Sequence, residues 1–85
     1  MDIRLTIDEF KSLPKQEQFD IVFTIGDFMD SRNVAEKKVV LYAVEAFYVE
    51  LCFDPISIKI IDISVMDREE IKSRDYKNLN GNNLI

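Results

Sequence analysis

Tyr48, Glu50 and Cys52 alternate with Phe47, Val49, Leu51 and Phe53 along FYVELCFD. On a strand, a phenol, a carboxylate and a thiol would then share one face. A thiol beside a base is the usual start of nucleophilic chemistry, but it needs a neighbour that favours the thiolate. The chain contains no histidine, and Glu50 as the neighbour would disfavour a second negative charge. Cys52 therefore reads as a structural thiol. Asp27 and Asp30 are the other acidic pair. On a regular strand they point to opposite faces and cannot share a metal, so the expected role is a solvated strand end pairing with Arg32. The missing histidine also removes the commonest metal ligand and the usual base near neutral pH. With only two glycines, no glycine-rich phosphate loop can be built. The expectation is a chain that is not an enzyme, with no catalytic residues, no cofactor and no metal.

Eighty-five residues make one small domain, expected over residues 1–80, with 81–85 as a frayed tail. A domain of this size buries roughly 60–65% of its unfolded surface. The formal charge is −5, from 11 Lys+Arg and 16 Asp+Glu. Between Val39 and Val65 the only base is Lys59, against Glu45, Glu50, Asp54 and Asp62. A phosphate-backbone binder needs clustered lysines and arginines. Lys37-Lys38 is too small a cluster, so nucleic acid is excluded as a partner. No apolar run approaches the roughly 20 residues of a membrane span, and no secretory signal is visible. The single cysteine allows no intrachain disulfide and fits a reducing compartment. A cytoplasmic protein is expected.

The elements that would position these residues follow from local signals. Thr6 and Glu9 form a capping box, and Leu5 with Phe10 a hydrophobic staple, so a short helix should run from about Ile7 to Ser12. Pro14 ends it and opens a second helix, PKQEQFDIVFTI, with Phe19, Val22 and Phe23 on one stripe. Phe10, Phe19 and Phe23 are expected in the core. Gly26 should close this helix in the left-handed conformation. The apolar period then changes to two. GDFMDSR is expected as the first strand, NVAE as a loop and KKVVLYAV as the second strand. Glu45-Ala46 is a tight link, FYVELCF the third strand, DPIS a turn and IKIIDISV the fourth strand. The alternation slips at Ile60-Ile61, which a bulge or burial on both faces would explain. DREEIKSRDY should be helical, capped by Asp67 with Glu70 and stapled by Met66 and Ile71. The fold class is α+β: two N-terminal helices, a four-stranded antiparallel meander and a C-terminal helix, with the helices packed on one sheet face.

A two-residue Glu45-Ala46 turn would place Val44 opposite Phe47, Tyr42 opposite Val49, Val40 opposite Leu51 and Lys38 opposite Phe53. A three-residue turn would flip one strand against the other. The two-residue register is favoured because it pairs the aromatics better. The outer face then holds Val39, Leu41, Tyr48, Glu50 and Cys52. An exposed apolar patch of this kind marks a partner surface, unless the C-terminal helix, with Ile71, Tyr76 and Leu79, folds over it.

The run GDFMDSR, then LYAVEAFYVELCFD, then IIDI resembles a group of small uncharacterised bacterial proteins. These share a glycine-aromatic start, a Leu-Tyr … Phe-Tyr-Val-Glu hairpin and a short isoleucine strand. The matching stretch is about Gly26 to Ile63, under half of the chain. The resemblance implies the meander and carries no activity, cofactor or site residue.

The function expected is therefore a small acidic protein-protein interaction module. Its partner would be a protein or a second copy of itself, bound through Val39, Leu41, Tyr48, Glu50 and Cys52. The alternative is an immunity- or antitoxin-type inhibitor of a basic partner, because charge complementarity speeds encounter and selects partners.

Overall fold

The computed structural model describes residues 5–72. Helices α1 (Ile7–Lys11) and α2 (Lys15–Ile25) precede four strands, β1 (Asp27–Val34), β2 (Lys37–Val44), β3 (Phe47–Phe53) and β4 (Ile60–Met66). Helix α3 (Arg68–Lys72) follows. The strands form one open antiparallel sheet in chain order. The chain is thus α+β, with two very short helices at its ends. Among the described residues no helix is long and apolar enough to cross a membrane.

Local chemistry accounts for the helix starts. Glu9 N–H donates to Thr6 Oγ1 at 3.1 Å, and Thr6 N–H donates to Glu9 Oε1 at 3.0 Å. The same reciprocal box forms at α3, where Glu70 N–H donates to Asp67 Oδ1 at 2.7 Å and Asp67 N–H to Glu70 Oε1 at 2.9 Å. A helix as short as α1 gains little from its own hydrogen bonds. It is held instead by Gln18 of α2, a buried side chain. Gln18 Nε2 donates to the carbonyl oxygens of Phe10 at 2.9 Å and Leu13 at 3.2 Å. The Phe10 carbonyl, which also accepts from Leu13 N–H at 3.1 Å, and the Leu13 carbonyl just past the helix are thereby tied to α2. The part of the expected C-terminal helix beyond Lys72, with Tyr76 and Leu79, lies outside the described residues, as does the expected tail over 81–85.

Gly26 differs from expectation. It is extended, with φ −73° and ψ 143°, and its N–H donates to Val22 O at 2.9 Å. A Cβ here would collide with the backbone carbonyl of Val22. The position needs glycine for close approach of two backbones, not for a positive φ. Gly26→Ala is expected to destabilise the fold by about 1–3 kcal/mol, the usual cost of overpacking. Urea unfolding of the purified variant checks this, and an unchanged midpoint would refute the close-approach account.

The strand turns follow from length. The β1–β2 link is Ala35-Glu36, and both residues have positive φ, 51° and 66°. That is the type I′ pattern, whose twist suits a two-residue hairpin. Strand β1 therefore runs on to Val34, beyond the Arg32 expected, and the loop shrinks from four residues to two. The β2–β3 link is Glu45-Ala46, and Val44 pairs with Phe47, Tyr42 with Val49, Val40 with Leu51 and Lys38 with Phe53. This is the two-residue register favoured from the aromatic pairing. The register of β3 on β4 shifts between Cys52 and Phe53, which leaves Ile61 as the extra residue of a bulge. The β3–β4 link is longer than DPIS. Ile58 and Lys59 belong to it, and β4 starts at Ile60.

The helices are not all on one face. Phe10 and Val22 of α1 and α2 pack with Val44, Phe47, Val49 and Leu51. The register assigns those strand residues to a single face, called here the helix-bearing face. Ile71 of α3 packs with Leu41 and Met66, flanked by Met29 and Tyr48, on the opposite face. The capping box at Asp67 turns the chain immediately after β4, and Ile71 then has only the rear of the sheet to cover.

Candidate functional site

The five residues expected to expose a contact surface do share the rear face. Val39 pairs with Cys52, Leu41 with Glu50 and Ala43 with Tyr48. Their exposure differs from the expectation. Leu41 is 0% exposed and Val39 is also buried, while Tyr48, Glu50 and Cys52 are half-buried. Leu41 has no accessible surface to offer because Ile71, Met66 and Met29 close over it. The apolar part of this face is thus a second small core, and the helix of the same chain covers it.

The acids of this face are brought closer than a regular strand allows. The register of β1 on β2 shifts between Phe28 and Asp30, so Asp27 pairs with Ala43 and Asp30 with Leu41. Both aspartates therefore lie on the rear face, contrary to the opposite-face expectation, because the bulge at Met29 absorbs one residue. Glu50 and Asp62 lie on the same face through their pairing with Ser64 and Cys52. Among the described residues no group of three or more His, Cys, Asp and Glu side chains could hold a metal ion. Cys52 is a free cysteine.

An uncovered apolar surface lies on the helix-bearing face, from Tyr42, where Phe23 of α2 touches it, towards the β3–β4 loop. A cleft of about 470 Å³ opens there, lined by Lys38, Val40, Tyr42, Phe53, Asp54, Pro55 and Ile58. The Tyr42 ring stands edge-on between two phenylalanines, with centroids 6.1 Å from Phe23 and 6.3 Å from Phe28. Phe23 is 54% and Phe28 62% exposed, so the expected core role of Phe23 is corrected. Helix α2 has room to bury only the Val22 side of its stripe. At the other end of the cleft Ile58 is 73% exposed, and Ile56, two residues earlier in the same loop, is 91% exposed.

The 54–59 loop that presents these isoleucines is tightly built. Ile58 N–H donates to Asp54 O at 2.7 Å and Asp54 N–H to Lys59 O at 2.9 Å. The Asp54 carboxylate accepts from Ile56 N–H at 3.0 Å and from Ser57 Oγ at 3.0 Å. Ile58 is held at φ 60°, which is strained for a β-branched residue. The turn thus pushes two apolar side chains outward and keeps them there.

The hydrogen bond from Ile56 N–H, and then that from Ser57, hold the Asp54 carboxyl below its ordinary value of 3.8. A depressed folded-state pKa means the clamp contributes fully above the unfolded carboxylate range. The contribution is lost as pH falls through the folded value, below pH 3.8. An NMR titration of the Asp54 carboxyl carbon should give a midpoint under 3.8, and Ser57→Ala should raise it. A midpoint at or above the ordinary value would refute the clamp.

Sequence reading missed this cleft. Phe23 fits a helical stripe, and Ile58 fits a strand alternation, so both read as core. The one available signal was Asp54-Pro55 followed by Ser57, an Asx-turn sequence long enough to hold the chain off the sheet. No family model, curated protein or solved structure matches the chain.

Proposed function

We propose that this chain is a cytoplasmic protein-protein interaction module without catalytic activity, whose contact surface is the cleft between the Phe23-Tyr42-Phe28 trio and the Asp54–Lys59 loop. The observation that carries this reading is an open cleft with an apolar floor, whose Tyr42 ring meets the exposed Phe23 and Phe28 and whose other wall carries the exposed Ile58. Taking roughly 200 Å² for a large apolar side chain, the exposures of Phe23, Phe28 and Ile58 correspond to roughly 400 Å² of surface. That is within the range of the largest apolar patch on an ordinary monomer, roughly 300–600 Å². Rigidity of the loop also favours binding, since pre-ordered groups lose less freedom on association. The free thiol of Cys52 supports a reducing compartment.

The test compares two immobilised baits, the wild-type chain and the Phe28→Asp/Ile56→Asp variant. Proteins retained from the source cell extract by the first and lost by the second support the reading. Equal retention by both removes the cleft from it.

The rear face favours a second reading. Its register gathers Asp27, Asp30, Glu50 and Asp62 on one side of the sheet, with Arg32 among them. An acidic sheet face of this kind suits an immunity- or antitoxin-type inhibitor of a basic protein, steered by charge. Binding to such a partner would weaken steeply with added salt and would be lost on Asp62→Lys.

A further inference from the structure

We infer that this chain pairs with a second copy of itself along the outer edge of β4, antiparallel, about a two-fold axis at Ser64. The two-residue turns determine which backbone groups reach that edge. Residues flanking such a turn exchange both backbone hydrogen bonds, and bonded pairs then alternate along an antiparallel ladder. Val34 with Lys37 and Val44 with Phe47 are the flanking pairs. Counting on from Phe47, Tyr48, Glu50 and Cys52 of β3 bond to Met66, Ser64 and Asp62 of β4. The N–H and C=O groups of Ile63 and Val65 therefore point away from the sheet. Among the described residues no backbone hydrogen bond reaches them.

The two edges of the sheet are built differently. On β1 the same count turns Ser31 outward, and its N–H is already taken by the Asp30 carboxylate at 2.9 Å. The bulge between Phe28 and Asp30 bends that strand as well. Such devices keep an edge from pairing. From Asp62 to Met66, β4 has no lysine, arginine, proline or glycine, and its own bulge at Ile61 lies before this stretch. The apolar-small-apolar order Ile63-Ser64-Val65 reads alike in both directions, as an isologous contact requires. Rotation about Ser64 sets Ile63 opposite the partner's Val65, both on the helix-bearing face, and Ser64 opposite the partner's Ser64. Ile63 and Val65 are half-buried against the core beneath α1 and α2. Pairing covers more of their surface and joins the two cores. Asp62, the one charged residue of β4, falls opposite the partner's Met66. The two Asp62 residues are then about 14 Å apart, beyond a Debye length of about 8 Å, so like charges do not meet across the contact.

Sedimentation velocity of the full-length chain, over the range of roughly 1 µM to 1 mM in which small interfaces associate, should show a shift to twice the mass of the chain. Ser64→Lys alone and Ser64→Glu alone should each raise the dissociation constant roughly tenfold or more. An unbonded antiparallel pair brings its Cα atoms to about 4.5 Å, so like charges would face each other there. An equimolar mixture of the two variants should return to within about threefold of wild type, because opposite charges then meet. Amide hydrogen exchange of the wild type gives a second readout that needs no variant. Exchange at Ile63 and Val65 should slow roughly tenfold or more from the dilute to the concentrated end, while exchange at Asn33 on the other edge should not change. The Phe28→Asp/Ile56→Asp variant should dimerise as wild type does, since neither residue lies on β4. A wild type that stays monomeric overturns the inference, as does a mixture as weak as its components. Exchange at Ile63 and Val65 that ignores concentration overturns it too. Loss of the dimer in the Phe28→Asp/Ile56→Asp variant does the same, and assigns the contact to the cleft instead.

Discussion

Phe47→Ala is expected to lower the free energy of unfolding by about 3–5 kcal/mol. Phe47 is 2% exposed, and its ring meets Phe10 at a centroid distance of 5.3 Å. Truncation removes the apolar area of a whole ring and leaves a hole under α1. That helix is held by one buried face and the Gln18 amide, so it cannot move in to fill the gap. At roughly 0.05–0.15 kcal/mol per residue, a chain of 85 residues has about 4–13 kcal/mol in all. The substitution therefore removes a large share of it. In urea the midpoint should fall by at least about 1 M for a slope of 1–3 kcal/mol/M. Phe23→Ala is the matched comparison, because that ring is more than half exposed. It should cost no more than about 1 kcal/mol. Equal losses at the two positions would mean that α2 turns its other side to the sheet.

Leu41→Ala is expected to cost about 2–5 kcal/mol, although Leu41 sits on the face that α1 and α2 leave open. Its burial comes from Ile71, Met66 and Met29. The size of the loss therefore measures how firmly α3 closes the rear of the sheet. A double-mutant cycle with Ile71→Ala isolates the contact. Coupling of about 0.5–3 kcal/mol is expected for two packed side chains. Additive losses would show that α3 does not cover Leu41, and the rear face would again be available to a partner.

These two substitutions also separate the faces functionally. Neither Phe47 nor Leu41 lines the cleft. A variant of either that still folds should bind as wild type does, whereas Ile56→Glu should bind poorly and unfold normally. That contrast distinguishes a binding surface from the two cores beneath it.

Much of the fold is legible from the chain alone because it rests on neighbours in sequence. Thr6 with Glu9, and Asp67 with Glu70, are three residues apart, and each pair builds its own capping box whatever lies beyond it. The alternation of Phe47, Val49, Leu51 and Phe53 fixes one side of β3. The better aromatic pairing across the turn favours the Glu45-Ala46 register over a one-residue slip, and that is the register found. The repeated isoleucine at Ile60-Ile61 breaks the period and so announces its bulge.

Tertiary structure decided the rest. Helical or strand periodicity says which residues share a side, but not whether anything lies over that side. Phe23 and Leu41 illustrate this in opposite directions. Phe23 keeps the spacing of a core residue yet ends more than half exposed, because α2 turns Val22 to the core and leaves Phe23 only an edge-on contact with Tyr42. Leu41 has the place of a surface residue yet is fully buried, because α3 folds back behind it. The backbone at Gly26 and Ile58 was equally out of reach of local signals. One glycine is required by the approach of the Val22 carbonyl, and one isoleucine is held left-handed by bonds to Asp54 and its neighbours. The sequence by itself therefore determined the elements, their order and the β2–β3 register, since these depend on residues close in the chain. The bulge at Met29, which puts Asp27 and Asp30 on one face, was decided by the pairing with β2. Which apolar face remains open depended on the reach of helices whose lengths are set against the sheet only once the chain has folded.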